Sequence, residues 1–197
     1  MIYAYSCIFL LHKTSTGVFI YVIIYMIRGE KIMYVVDKES LACYMINKYK
    51  NDYSDDITPI KLQKGLYFLF AFWGGMIRKA KNNLLSSEFD IKKYDEYLFE
   101  PNFEAWTYGP VDYDIYSEFK YDNEMFSIEQ NKPLICDKFT RDFIDNYLDR
   151  IFITNDFGLV DLSHEDNAWK NVYNESMKHI KMNPESIINE YAQKQSV

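Results

Sequence analysis

Cysteine is scarce in this chain of 197 residues. Cys7, Cys43 and Cys136 form no CxxC pair and are odd in number. A disulfide framework or a thiolate zinc site needs closer and more numerous ligands, so the thiols are read as reduced, with Cys43 on an apolar helix face. Seven Gly and five Pro exclude collagen-like and linker-dominated classes. Histidine is equally sparse: His12, His164 and His179 include no i, i+4 pair of the kind that binds metal on a helix. Cations are in deficit, with 22 Lys and Arg against 29 Asp and Glu, giving a net charge of −7. Coating a nucleic-acid duplex takes clustered cations, so nucleic acid is not the expected partner. GxSxG, HExxH and Gly-rich phosphate-loop patterns are all missing. The plentiful carboxylates (Asp55, Asp56, Asp112, Asp114, Asp161, Glu165, Asp166) read as solvated surface and helix caps. No catalytic residue, metal or cofactor is expected, and the chain is not read as an enzyme.

What is abundant is aromatic and apolar side chain: 18% of residues are Phe, Trp or Tyr, and 48% are hydrophobic. That is too apolar for disorder and long enough for one real core. The first thirty-two residues differ in character from the rest. Two apolar runs, Ile2–Leu11 and Val18–Ile27, flank a polar stretch from His12 to Gly17. Each is about half the ~20 residues of a membrane-spanning helix. No positive charge precedes the first run, as a signal peptide would require. Arg28-Gly29-Glu30-Lys31-Ile32 can be encoded by a purine-rich tract resembling a bacterial ribosome-binding site just ahead of Met33. Residues 1–32 are therefore read as a mis-annotated leader or non-domain extension, standing apart as a helix if folded, and 33–197 as the domain. A membrane-associating segment and a folded extension remain the other readings. The leader holds Lys13, Arg28 and Lys31 against Glu30 alone, so the remainder is more acidic still.

Beyond Met33 the period is mainly helical. Asp37 opens an apolar stripe through Leu41, Met45, Ile46 and Tyr49, followed by a polar loop from Asn51 to Asp56. Thr58-Pro59 is a strong helix start, with a hydroxyl cap and proline at the first helical position. The run through Leu62, Leu66, Leu69, Phe70 and Trp73 is apolar nearly all round, which marks the central core helix. Gly74-Gly75 weakens it or admits another backbone. Phe103 to Thr107 alternates as a short strand turning at Gly109-Pro110 directly into a helix with Val111, Ile115 and Phe119 on one face. Thr140 caps a helix stopping near Gly158. Ser163 and Asp166 form a capping pair ahead of Trp169, and Asn183-Pro184 starts the last helix. The fold class is mostly α: a single compact helical domain with a small β-strand pair or hairpin.

Three stretches stand out. Lys61, Gln63 and Lys64 punctuate the apolar helix ahead of Tyr67; they are either an exposed stripe or a polar edge that grips a partner. In Phe103-Glu104-Ala105-Trp106-Thr107-Tyr108-Gly109-Pro110-Val111, Trp106 and Tyr108 share one side and are either core or binding anchors. In Leu159 to Trp169, His164 sits beside a buried Trp169 and hydrogen-bonds locally, a ligand or proton-transfer role being the other reading.

In this order the three stretches resemble the Panacea antitoxin domain, also described as SocA-like and phage-associated. Lys61-Leu62-Gln63-Lys64-Gly65-Leu66-Tyr67-Phe68 is similar to its KLQKLLYY-type helix, Phe103 through Val111 to FEAWxYGPV, and Leu162-Ser163-His164 with Trp169 to LSHxxxxW. The likeness spans roughly Asp37 to Ala192. Gly65 departs from it, standing where a large apolar residue is usual and loosening local packing, as does an insert over Ile77–Asp95. Residues 1–32 have no counterpart. The resemblance implies a cytoplasmic antitoxin, non-enzymatic and without cofactor. It would neutralise a cognate toxin, encoded nearby, by direct protein–protein binding, and a related member delivers its toxin to a cellular protease. The acidic balance suits a basic partner, and no membrane partner is expected. Lys61, Gln63, Tyr67, Trp106, Tyr108, Gly109, Pro110 and His164 are the partner-binding candidates. The alternative is a phage or mobile-element accessory protein binding a host replication or defence factor. If translation starts at Met33, mass spectrometry of protein made in its native host should find Met33 or Tyr34 at the N-terminus; peptides from Ile2–Arg28 would exclude that start.

Overall fold

A computed structural model describes residues 8–13, 19–24, 34–82, 91–121 and 132–194. The chain divides into two units, Met1–Ile32 and Met33–Val197. In the first, β1 (Ile8–Lys13) and β2 (Phe19–Ile24) pair antiparallel, with Ile8 opposite Ile24 and Lys13 opposite Phe19. These runs pair as strands instead of forming the expected helix, in keeping with the β-branched and aromatic content of Phe19–Ile24. Met33 and Cys7 lie outside the described residues.

The second unit is mostly helical. Asp37 caps α1 (Lys38–Tyr53), its carboxylate accepting from the Ser40 amide at 2.8 Å. α1 continues three residues into the stretch read as a polar loop. The Thr58 hydroxyl accepts from the Lys61 amide at 3.0 Å at the start of α2 (Pro59–Asn82). Leu62, Leu66, Tyr67, Leu69, Phe70 and Trp73 of α2 are fully enclosed, so this helix is the axis of the core. No described helix is long and apolar enough to cross a membrane.

Several local readings need correction. Phe103–Trp106 is strand β3, but Gly109 does not begin a helix. Thr107 and Tyr108 form a two-residue turn, and the chain returns as β4 (Gly109–Asp112), with Trp106 opposite Gly109 and Phe103 opposite Asp112. Gly109 has φ +90, a conformation that L side chains rarely adopt. α3 (Tyr113–Tyr121) follows. Asp137, not Thr140, caps α4 (Lys138–Ile153), accepting from the Thr140 amide at 2.9 Å. Gly158 does not end α4; it lies inside a separate helix α5 (Asp156–His164), whose cap Asn155 accepts from the Gly158 amide at 2.8 Å. Asp166 precedes the short α6 (Asn167–Lys170) without a capping bond. Glu190 serves there instead, accepting from the Asn167 and Ala168 amides at 2.9 and 2.8 Å. β5 (Ile180–Lys181) adds to β3, making a three-stranded antiparallel sheet in the order β4-β3-β5 where a pair was expected. Asn183 caps α7 (Pro184–Gln193) as expected. The 77–95 insert is α2 as far as Asn82, and 83–90 lie outside the described residues.

Of the two readings of Gly74-Gly75, close approach is the one realised. A Cβ on Gly75 would sit 2.6 Å from Tyr191 Cβ and 2.7 Å from its backbone carbon, so α7 crosses α2 on bare backbone. Gly65 does not loosen the core: the space its side chain would fill is taken by the end of Met45, 2.3 Å from an added Cβ. Gly75→Ala should therefore cost about 1–3 kcal/mol of unfolding free energy by overpacking. Gly65→Ala should stay within about 1 kcal/mol of wild type, because a methionine end can swing aside and alanine favours helix by up to ~1 kcal/mol. Urea denaturation of both variants checks the contrast.

Candidate functional site

The three sequence stretches meet. β4 is an edge strand, and the groups pointing off its free edge face α2. Lys64 Nζ donates to the Pro110 carbonyl at 2.8 Å, and Gln63 Oε1 accepts from the Asp112 amide at 2.7 Å. These are the bonds a neighbouring strand would have made, so two side chains of a helix complete the sheet edge. The Asp112 carboxylate, wholly buried, is met by Lys38 Nζ at 3.0 Å and by the Asn102 amide at 2.9 Å. A Cβ on Gly109 would lie 2.3 Å from Ser163 Oγ and 2.9 Å from Lys64 Nζ. Glycine is required there by space as well as by φ.

The third stretch closes over the same hairpin. Trp169 Nε1 donates to the Trp106 carbonyl at 3.0 Å. His164 stacks on Trp169 with centroids 4.1 Å apart, and Trp169 stacks on Tyr173 at 4.6 Å. His164 Nε2 is buried without a hydrogen-bond partner. Burial lowers the His164 pKa, and nearby Lys64 adds to this against the opposing effect of a hydrogen bond that the ring donates to the Thr107 backbone carbonyl. Asp166, 1% exposed, collects the Tyr67 hydroxyl at 2.7 Å, the Tyr191 hydroxyl at 2.8 Å and Lys194. Burial, with the Asp166 charge alongside, holds both tyrosines protonated well above the ordinary phenol range.

The partner-binding candidates thus fall into two groups. Lys61 and Tyr67 are interior. Lys61 Nζ donates to the carbonyls of Phe152, at 3.3 Å, and Thr154, and lies 3.4 Å from Asp156, so it ties down the corner between α4 and α5. Gly109 and Pro110 are buried framework, and His164 is half-buried in its stack. Tyr108, by contrast, is 58% exposed at the hairpin tip, and Trp106 is half-buried beside it. Both line a groove of about 560 Å³ with Gln63 and Lys64 at its inner end and Tyr116, Tyr173 and Met177 among its walls. Trp106 rests on Tyr116, centroids 4.7 Å apart, and faces His179 edge-on at 5.6 Å.

An ion pair behind the groove wall was missed from sequence: His179, which lines the groove, and Glu104, which does not. Glu104, buried, accepts from Trp106 Nε1 at 2.9 Å and pairs with His179 Nδ1 at 2.8 Å and Lys181 Nζ at 3.1 Å. Burial alone would raise its pKa, but these donors outweigh that and hold it below the usual carboxylate range. The one local signal was the i, i+2 spacing of Glu104 and Trp106, which puts them on one face of β3. His179, with φ 58, is brought in from 75 residues away. Among the described residues no group of three or more His, Cys, Asp or Glu could hold a metal ion. No family model matches the chain, and neither a curated protein nor a solved structure matches it significantly.

Lys64 is 1% exposed, and burial lowers its pKa to about 7. An unfolded lysine titrates near 10.4, so between about pH 7 and that value the unfolded chain binds one more proton, and stability rises with pH. The urea midpoint should climb between pH 7 and 9, and Lys64→Met should flatten that climb.

Proposed function

We propose that the domain is a protein-binding module of antitoxin type, neutralising a cognate toxin by direct contact through the groove at the hairpin tip. The observation that carries this reading is the tip itself. An exposed tyrosine and a half-buried tryptophan stand on a hairpin held from behind by Lys64, Gln63, Ser163 and Trp169. Interfaces draw much of their energy from such rigid aromatic anchors, because little side-chain freedom is lost on binding. Exposed Met177, 59% accessible, extends the apolar surface and adapts to a partner's shape. His179, held from behind by buried Glu104, and Gln63 supply polar contacts within the groove. The net charge of −7 favours a basic toxin through encounter rate and rejection of acidic competitors. Delivery of the bound toxin to a protease is compatible with the same grip and needs a further surface.

Co-expression with the product of the adjoining reading frame, read as growth rescue, tests this directly. Tyr108→Ala and Met177→Ala should each weaken rescue, and the pair should abolish it, with melting temperature nearly unchanged because both side chains are exposed. Loss at Tyr108 of about 2 kcal/mol or more of binding free energy would rank it as a hot spot. Full rescue by the folded double variant places recognition elsewhere.

A further inference from the structure

α2 is enclosed by other elements along most of its circumference; along one stripe, beyond buried Phe68, it is only half-covered. Phe68, Phe72, Met76 and Lys79, at i, i+4, i+8 and i+11, line a slot of about 460 Å³. Tyr147 and Arg150 of α4 form one wall, and Tyr191 of α7 with Lys194 just beyond its end the other. Phe72 is its floor, stacked on Tyr147 at 4.7 Å and edge-on to Tyr191 at 5.0 Å. Leu162 of α5 lines it too and is 55% exposed. From Phe68 to Lys79 the stripe runs about 16 Å along the axis at 1.5 Å per residue, three turns of helix.

We infer that this slot receives an amphipathic helix of a partner protein whose apolar face is flanked by carboxylates. The walls are helices and offer no strand edge, so an extended peptide laid between them would leave its backbone groups unsatisfied, whereas a helix satisfies its own. The charge around the slot selects the flanks. Both carboxylates that line it are already held: Glu165 lies 3.2 Å from Lys170, and Asp166 takes Lys194 and two tyrosine hydroxyls. Lys79 and Arg150 make no side-chain hydrogen bond or ion pair among the described residues. A chain of net charge −7 thus presents two uncompensated cations beside its half-covered apolar stripe. An acidic flank is attracted to them and a basic one repelled. The inference does not rest on the toxin-binding reading, whose groove is lined by other residues.

The probes are three synthetic 16-residue peptides titrated into the full chain by fluorescence anisotropy. One carries leucines at i, i+3, i+4 and i+7 with glutamates beside them; the second replaces the glutamates with lysines; the third shuffles the leucines off the common face. The first should bind, with the other two at least tenfold weaker. In methyl NMR its shifts should fall on Met76 and Leu162 and spare Met177. Lys79→Glu with Arg150→Glu, both exposed enough to leave the fold intact by circular dichroism, should invert the preference between the glutamate and lysine peptides. Equal binding of those two peptides, no binding to the folded chain, or shifts centred on Met177 would each overturn the proposal. So would a dimer in sedimentation that dissociates on Met76→Glu, since a second copy would then be the occupant.

Discussion

The free edge of β4 is the constraint on which the domain turns. A strand edge packed against a helix cannot reach water, and each orphaned amide or carbonyl there would cost about 1–3 kcal/mol. Gln63 and Lys64 remove that cost by reaching out of α2 as an amide acceptor and an amine donor. Because the two bonds have fixed positions along β4, they set the register of the hairpin against the central helix. Gly109 then has to be glycine, Ser163 has to sit under it, and the Trp106 carbonyl is left where Trp169 can meet it. A buried lysine without a carboxylate beside it is an expensive part to use, and its lowered pKa records that expense.

This inverts the meaning of the polar residues on α2. Polar side chains on a helix normally mark its exposed stripe, yet Lys61, Gln63 and Lys64 are all buried. They grip this chain's own backbone: Lys61 holds the α4–α5 corner, and the other two hold the hairpin. What is left for a partner is the ground these contacts stabilise. The turn Thr107-Tyr108 projects from a sheet braced by Gln63, Lys64 and Trp169, so under the proposed reading Tyr108 and Trp106 would need little further ordering on binding.

The two unfilled surfaces differ in chemistry. The hairpin groove combines aromatics with His179, which Glu104 orients from behind the wall, a mixture suited to specific polar contacts. The α4–α7 slot is apolar along the floor, with unpaired cations beside it, a simpler surface that reads shape and charge. Both depend on α2, whose inward face fixes the core while its N-terminal residues line one surface and its outer stripe the other.

Much of the secondary structure was legible along the chain because its signals are local. Thr58-Pro59, Asp37 and Asn183-Pro184 start helices by satisfying their own first amides, and the unbroken apolar run in α2 could only be core. The mostly helical class followed from such signals, whereas the meeting of the three motifs around one hairpin was supplied by the structure. Other features were illegible because the energy that decides them is paid across the fold. Gly158 reads as a stop, yet Asn155 three residues earlier restarts the chain as α5. Asp166 reads as a cap, but Tyr67, Tyr191 and Lys194 compete for its carboxylate and win. Lys61 and Lys64 read as surface because no sequence shows which carbonyls will be waiting in the interior. His179 reads as an isolated histidine until β5 carries it beside Glu104. By itself the sequence determined where several helices begin and which helix is central; the tertiary structure alone decided which polar groups turn inward, since a buried donor is tolerable only where distant backbone supplies its acceptor.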